Sequence, residues 1–166
     1  SFKNREGQKL LFSGGHGAMG YGLPAAIGAY YATGKPTACI CGDGALQMNI
    51  QELATAVLEE LPIISCIFNN NNLGMVRQWQ TLFYEKRYSA TVLNDAVDFV
   101  KLAEAMGAVG IRAATREEFQ KAFQEALAMG RPVVIDCQID SDEKVWPMVA
   151  PGAAISEAFS EEDLEK

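Results

Sequence analysis

Twenty-four residues, Ala45 to Phe68, separate Gly42-Asp43-Gly44 from Asn69-Asn70, and they read as one helix followed by one strand. Ahead of them, Pro36-Thr-Ala-Cys-Ile-Cys41 is a short apolar run with β-branched members, the pattern of a buried strand. Ile50, Leu53, Ala54, Val57, Leu58 and Leu61 then recur at three- and four-residue steps, which predicts a helix with one buried face. Pro62 stops it, and Ile63-Ile-Ser-Cys-Ile-Phe68 reads as a second buried strand. A strand–helix–strand unit with a right-handed crossover makes the two strands parallel, so both end on one edge of the sheet. Ligands of such sheets bind outside those carboxyl ends, where Asp43 and Asn70 are expected. Glycine lets a backbone approach a phosphate closely, and a following helix offers unpaired N–H groups to it. A carboxylate and an amide meeting there suit a magnesium ion, which takes few protein ligands and completes its shell with phosphate and water. A lone Gly-Asp-Gly reads only as a turn, and asparagines alone as a polar loop. The matched spacing and the strand context favour the cation and phosphate site.

The rest of the chain extends this into an α/β fold, a doubly wound parallel sheet with helices on both faces. The glycine-dense run Ser13 to Gly28 leads into a first helix. Asn94-Asp95 is expected to cap a helix reaching about Met106, with Phe99, Leu102, Ala103 and Met106 inward and Gly107 at its end. Val109 to Ala113 reads as a strand, Thr115-Arg-Glu-Glu118 as a capping box opening a helix to about Met129, and Pro132 to Ile139 as the last strand. At 166 residues this is one domain, expected over residues 1–155, with an acidic, solvated tail at 156–166. The net charge of −7 argues against nucleic-acid and anionic-membrane partners, and no apolar run reaches membrane length. Cys39, Cys41, Cys66 and Cys137 all fall in the expected strands with no zinc or Cys-x-x-Cys spacing, and read as core residues in a reducing cytoplasm.

Four stretches carry a family likeness. The spacing Gly42-Asp43-Gly44, twenty-four residues, Asn69-Asn70 resembles the signature of thiamine diphosphate enzymes. Ser13-Gly-Gly-His-Gly-Ala-Met-Gly-Tyr-Gly is similar to the segment that holds the cofactor's pyrimidine in that superfamily. Gly74 to Tyr84, with its Gly-Met-Val-x-Gln-Trp-Gln-x-Leu-Phe-Tyr core, resembles the acetohydroxyacid synthase (acetolactate synthase) catalytic subunit, as does Val145-Trp-Pro-Met-Val-Ala-Pro-Gly. The likeness covers roughly residues 12 to 155.

The resemblance implies thiamine diphosphate and Mg2+ as cofactors, with Asp43, Asn70 and the main-chain carbonyl of Asn72 as metal ligands. It implies cofactor contacts from Gly17, Met19, Gly42, Gly44, Ala45, Gly74 and Met75. Gly17 would bond the aminopyrimidine and Met19 would bend the cofactor. Val76 and Trp79 would face the 2-oxo acid substrates, Trp79 favouring 2-oxobutyrate as acceptor. The implied reaction joins pyruvate to pyruvate or 2-oxobutyrate with loss of CO2, in branched-chain amino acid biosynthesis. No residue here matches the family's activating glutamate, which lies in an N-terminal domain. FAD is held mainly by a middle domain, and the chain begins after the family's first strand in this domain. A fragment or split subunit with negligible turnover alone is therefore expected, working in a cytoplasmic homo-oligomer that in this family often includes a regulatory subunit. Read without the likeness, Met19 is a core filler and Met75, Val76, Trp79, Leu82 and Phe83 form a core-facing stripe. His16 is a proton shuttle or an exposed loop residue. Arg77, Lys86 and Arg87 either steer anionic substrates or form a solvated basic face. Two other functions stay open: a 2-oxo acid decarboxylase or oxidase on the same scaffold, and a non-catalytic cofactor-binding domain.

Overall fold

The protein is described by a computed structural model over residues 3–93 and 97–164. It divides into two compact units, Ser1–Asn69 with Asp95–Gln138, and Asn70–Asn94 with Ile139–Lys166. Among the described residues, the first unit holds β1 (Thr37–Gly42), β2 (Ile63–Asn69), β3 (Val109–Ala113) and β4 (Val133–Gln138) in the order β1-β2-β4-β3, every pair parallel. Each expected strand is present to within one residue at either end. Burial on both faces is the reason the central strands β2 and β4 read as unbroken apolar runs, whereas β1, expected to be buried, is an edge strand whose Ala38 and Ile40 are exposed.

The two faces sort by the period of two. Ile63 and Ile67 of β2 and Val134 of β4 join Leu53, Ala56 and Phe99 in one cluster, beneath helices α1 (Gly22–Thr33), α3 (Glu52–Leu58) and α5 (Phe99–Ala105). Ile64 and Cys66 of β2 and Ile135 of β4 pack on the opposite face against Ala122 and Ala126 of α6 (Arg116–Met129). The doubly wound α/β arrangement is thus present. Helix α6 follows its sequence signals closely, with Thr115 and Glu118 forming the capping box and Gly130 the left-handed C-cap.

Two helices differ from expectation. The single helix after β1 is broken into α2 (Asp43–Met48) and α3, with a turn at residues 49–51. Asn49 stands at the break with φ −136° and ψ 38°, and its Nδ2 donates to the Gly20 carbonyl at 2.9 Å. Leu58, expected inside, is 80% exposed, while Ala56 takes the buried position. The expected cap Asn94-Asp95 lies outside the described residues, and the N-cap of α5 is Asp98, whose Oδ1 accepts from the Val100 and Lys101 amides at 3.2 Å.

The second unit is built on α4 (Gly74–Phe83) and two isolated antiparallel bridges, Asn72 with Val92 and Met148 with Phe159. The acidic end is locally shaped, with 3-10 turns at Ile155–Glu157 and Glu161–Asp163, the latter boxed by Ser160 and Asp163. Among the described residues, no helix is long and apolar enough to cross a membrane.

Candidate functional site

In the first unit, β1 and β2 end in step: Gly42 is in register with Phe68, so Asp43 and Asn69 leave adjacent parallel strands at the same level. Asp43 is the first residue of α2 and 4% exposed, and its Oδ1 accepts from the Gly44 amide at 2.7 Å. Gly42 has φ −82°, which any residue adopts, and an added Cβ would meet nothing nearer than the Phe68 carbonyl at 4.0 Å. Neither strain nor packing in the protein asks for glycine there. The room a Cβ would fill is left for something else. Gly20 is the opposite case, needed by its φ of +89° and by Met48 Cβ at 2.7 Å from where its own Cβ would stand.

The glycine loop that carries Gly17 and Met19 is seated by this contact. Gly17 lies at φ +61°, its amide bonded to the Ser13 carbonyl at 3.0 Å. Met19 is 44% exposed, so core filling does not explain it, and His16 is exposed in the same loop. None of the four cysteines is in a disulfide. Burial pushes Cys66 up to about 12 and Cys137 up to about 11, which keeps both thiols protonated and inert as core residues.

In the second unit, Asn70 Oδ1 accepts from the Asn72 amide at 3.1 Å, and Asn72 Nδ2 donates to the Asn70 carbonyl at 2.8 Å. This Asx turn leaves Asn70 Oδ1 a second lone pair. Asn72 Oδ1 is buried and has no hydrogen-bond partner among the described residues. Gly74 follows in tight contact, with Asn70 Nδ2 2.8 Å from where a Cβ would stand. Among the described residues, no cluster of three His, Cys, Asp or Glu side chains is placed to hold a metal.

Helix α4 inverts the usual rule. Its buried residue is Gln78, 3% exposed, whose amide both donates to the Val145 carbonyl and accepts from the Val145 amide at 2.9 Å. Met75 and Val76 are 51% and 46% exposed, so that end of the apolar stripe is not core, while Trp79, Leu82 and Phe83 are half-buried. Met75, Val76 and Trp79 line a pocket of about 560 Å³ together with Gln80, Tyr84 and Arg87. Trp79 stacks edge-on against Phe83, with centroids 5.6 Å apart, which fixes the indole as a wall. Arg77 is committed elsewhere, 2.7 Å from Asp142 and 4.2 Å from the Tyr88 ring, while Arg87 is the cation of the pocket lining. Arg87 is one of the three cations read from sequence as steering anionic substrates or forming a solvated face; Gln80 and Tyr84 were not singled out, although Val76, Gln80 and Tyr84 recur at four-residue steps.

A family model described as thiamine pyrophosphate enzyme, C-terminal TPP binding domain, matches residues 1–137. Acetolactate synthase of Mycobacterium avium is 51% identical over 155 residues, which is 89% of this chain and 25% of that protein. The acetolactate synthase large subunit of Haemophilus influenzae is 44% identical over 163 residues, 97% of this chain and 28% of its own length. Among solved structures, the thiamine diphosphate-dependent 4-hydroxybenzoylformate decarboxylase of Rhodococcus jostii RHA1 superposes with a TM-score of 0.70 at 33% identity, covering 76% of this chain and 24% of that one. Benzoylformate decarboxylase from Polynucleobacter necessarius gives 0.71 at 28% identity, covering 79% and 25%. The chain spans about a quarter of the length of these relatives.

Proposed function

The chain belongs to the family of thiamine pyrophosphate enzyme C-terminal, TPP-binding domains, and from that premise we propose that it is the magnesium- and diphosphate-binding part of an acetolactate synthase. The observation that carries the cofactor reading is the level ending of β1 and β2, with Asp43 beyond the first, Asn69 at the close of the second, and unfilled room at Gly42. Asp43, Asn70 and the Asn72 carbonyl supply hard oxygen donors to Mg2+, and their support as one donor set is their spacing along the chain. Gly42, Gly44 and Ala45 present backbone to the diphosphate. Gly17 and Met19 receive the pyrimidine, and Gly74 and Met75 lie beside the cofactor. Thiamine diphosphate, when bound, supplies an electron sink for the decarboxylation of a 2-oxo acid.

The chain's own part is to bind, orient and select. Val76 and Trp79 wall the acceptor pocket, and its apolar lining favours a small acid with a short alkyl group, pyruvate or 2-oxobutyrate. No catalytic proton carrier is assigned to this chain. In this reading the activating glutamate and FAD are held by N-terminal and middle domains, in a cytoplasmic homo-oligomer serving branched-chain amino acid biosynthesis, with a regulatory subunit as a further partner. The decarboxylases among the solved structures favour a second reading, simple decarboxylation, but at 28–33% identity they stand further away than the synthases at 44–51%.

Calorimetric titration of the chain with thiamine diphosphate tests the cofactor reading. Binding is expected with magnesium, reversed by chelator and lost in Asp43→Ala. Binding indifferent to magnesium or to Asp43→Ala sinks it. Product analysis of the longer protein with pyruvate and 2-oxobutyrate separates synthase from decarboxylase, since free aldehyde without acetohydroxy acid overturns the synthase assignment.

A further inference from the structure

A buried carboxylate sits where the strands of the first unit end. Asp136 of β4 is 1% exposed, between Ile135 and Cys137 in a strand otherwise apolar from Val133 to Cys137. Its Oδ1 accepts from Asn69 Nδ2 at 2.9 Å and from Gln138 Nε2 at 2.8 Å, and its Oδ2 accepts from Arg112 Nε at 3.3 Å. Arg112, in register with Asp136 on β3, donates through its second nitrogen to Asp98 at 2.8 Å. Asp98 in turn caps α5. The face of the sheet that is apolar along Ile63, Ile67 and Val134 thus becomes polar at its carboxyl edge, through Asn69, Asp136, Gln138 and Arg112.

Stability alone does not call for this arrangement. Removing a carboxylate from water costs several kcal/mol, and a buried ion pair replaced by apolar groups of similar size is often neutral or stabilising. Arg112 is itself half exposed, which weakens its compensation. What the carboxylate does achieve is geometric. It grips the side chain of the last residue of β2 from the neighbouring strand, and a clamp at that point fixes the peptide that leads to Asn70. Arg112 and Asp98 hold the clamp from the other side.

We propose that Asp136 is a positioning residue for the asparagine motif: by holding Asn69 at the carboxyl end of β2, it sets the backbone from which Asn70 leaves toward magnesium and the diphosphate. This rests on the cofactor reading above. Groups that orient metal ligands are worth roughly 10–100-fold in metal affinity, and Asp136 acts one residue removed, so the lower end applies.

The test compares wild type, Asp136→Asn, Asn69→Ala and the double variant of this chain by magnesium-dependent thiamine diphosphate titration, alongside urea unfolding. Each single variant is expected to weaken cofactor binding about tenfold. The double variant is expected to bind no more weakly than Asn69→Ala, because Asp136 acts through Asn69. In 15N spectra the Asn69 side-chain amide should shift in Asp136→Asn without cofactor present. Additive losses overturn the inference and make Asp136 a structural residue, as does unchanged affinity in Asn69→Ala, which settles the matter even where Asp136→Asn fails to fold. A wild-type chain that shows no magnesium-dependent binding overturns the cofactor reading itself, and this inference with it.

Discussion

Strand β2 and helix α4 lie four residues apart in the chain and obey opposite rules of burial. β2 encloses Ile63, Ile64, Cys66 and Ile67, all 3% exposed or less, between two layers of helix. α4 encloses Gln78 and shows Met75 and Val76 to the outside. A strand covered on both faces has no alternative to apolar residues, so its composition states its position. An amphipathic helix states only that it has two faces. Which face is covered depends on what the rest of the protein offers, and here the offer is the Val145 backbone, to which Gln78 alone is matched. Apolar side chains left outside that match line a pocket.

The comparison breaks first at its strongest point. Ile67→Ala empties a fully buried site between α-helical layers and is expected to cost about 2–5 kcal/mol by urea unfolding. Met75→Ala is expected to stay within about 0.5 kcal/mol of wild type, as exposed substitutions do. Equal losses at the two positions would show that α4 has an ordinary core face after all. Gln78→Leu comes next. It swaps a satisfied amide for an apolar side chain and leaves both Val145 groups without their partner, at about 1–3 kcal/mol, with faster hydrogen exchange at the Val145 amide. An unchanged exchange rate there would mean that water replaces Gln78 at no cost and that the inversion of α4 carries no structural weight.

The same contrast explains what was legible. Strand ends were placed within a residue because Pro36, Pro62 and Pro132 open apolar runs, although only the runs of β2 and β4 are buried on both faces. Thr115 and Glu118 announced α6 because a capping box is local. The break between α2 and α3 was not legible: it falls at Asn49, whose side-chain partner, the Gly20 carbonyl, lies 29 residues away in the chain. The choice of Asp98 as cap was hidden for a similar reason: Arg112 holds its carboxylate, and the hydrogen bond from the Lys101 amide, followed by that ion pair, keeps its carboxyl below the usual range. The readings of Asp43, Asn70 and Trp79 rest on motif spacing and resemblance. Asp136 carried a sequence signal, an ionisable residue inside an apolar strand, yet its meaning needs the partner on β2.

Gly42→Ala separates folding from binding within the first unit. With φ −82° and a nearest neighbour at 4.0 Å, alanine is accommodated, and the unfolding midpoint is expected to move little or slightly upward. Thiamine diphosphate affinity is expected to fall about tenfold, or about 1.4 kcal/mol, because a methyl group would enter the room that the proposed cofactor reading assigns to the diphosphate. A stable variant with undiminished affinity would show that the room at Gly42 is incidental.

The smallest effect distinguishes the two ties that hold α4. Gln78 is neutral and does not titrate, whereas Arg77 meets Asp142 at 2.7 Å on the surface. The hydrogen bond from Arg77 is the first cause holding the Asp142 carboxyl below its usual range. A carboxylate whose folded value is depressed adds stability above its unfolded value of about 3.9 and loses it as pH falls through the lower folded value. Exposed pairs of this kind contribute no more than about 1 kcal/mol, and salt reduces that further. Asp142→Asn should therefore unfold at slightly lower urea than wild type at pH 7, and the two curves should converge as pH is lowered below about 4. Gln78→Leu should keep its full deficit across the same range. A gap between wild type and Asp142→Asn that persists at pH 3 would remove charge as its cause and leave the 2.7 Å contact as packing alone.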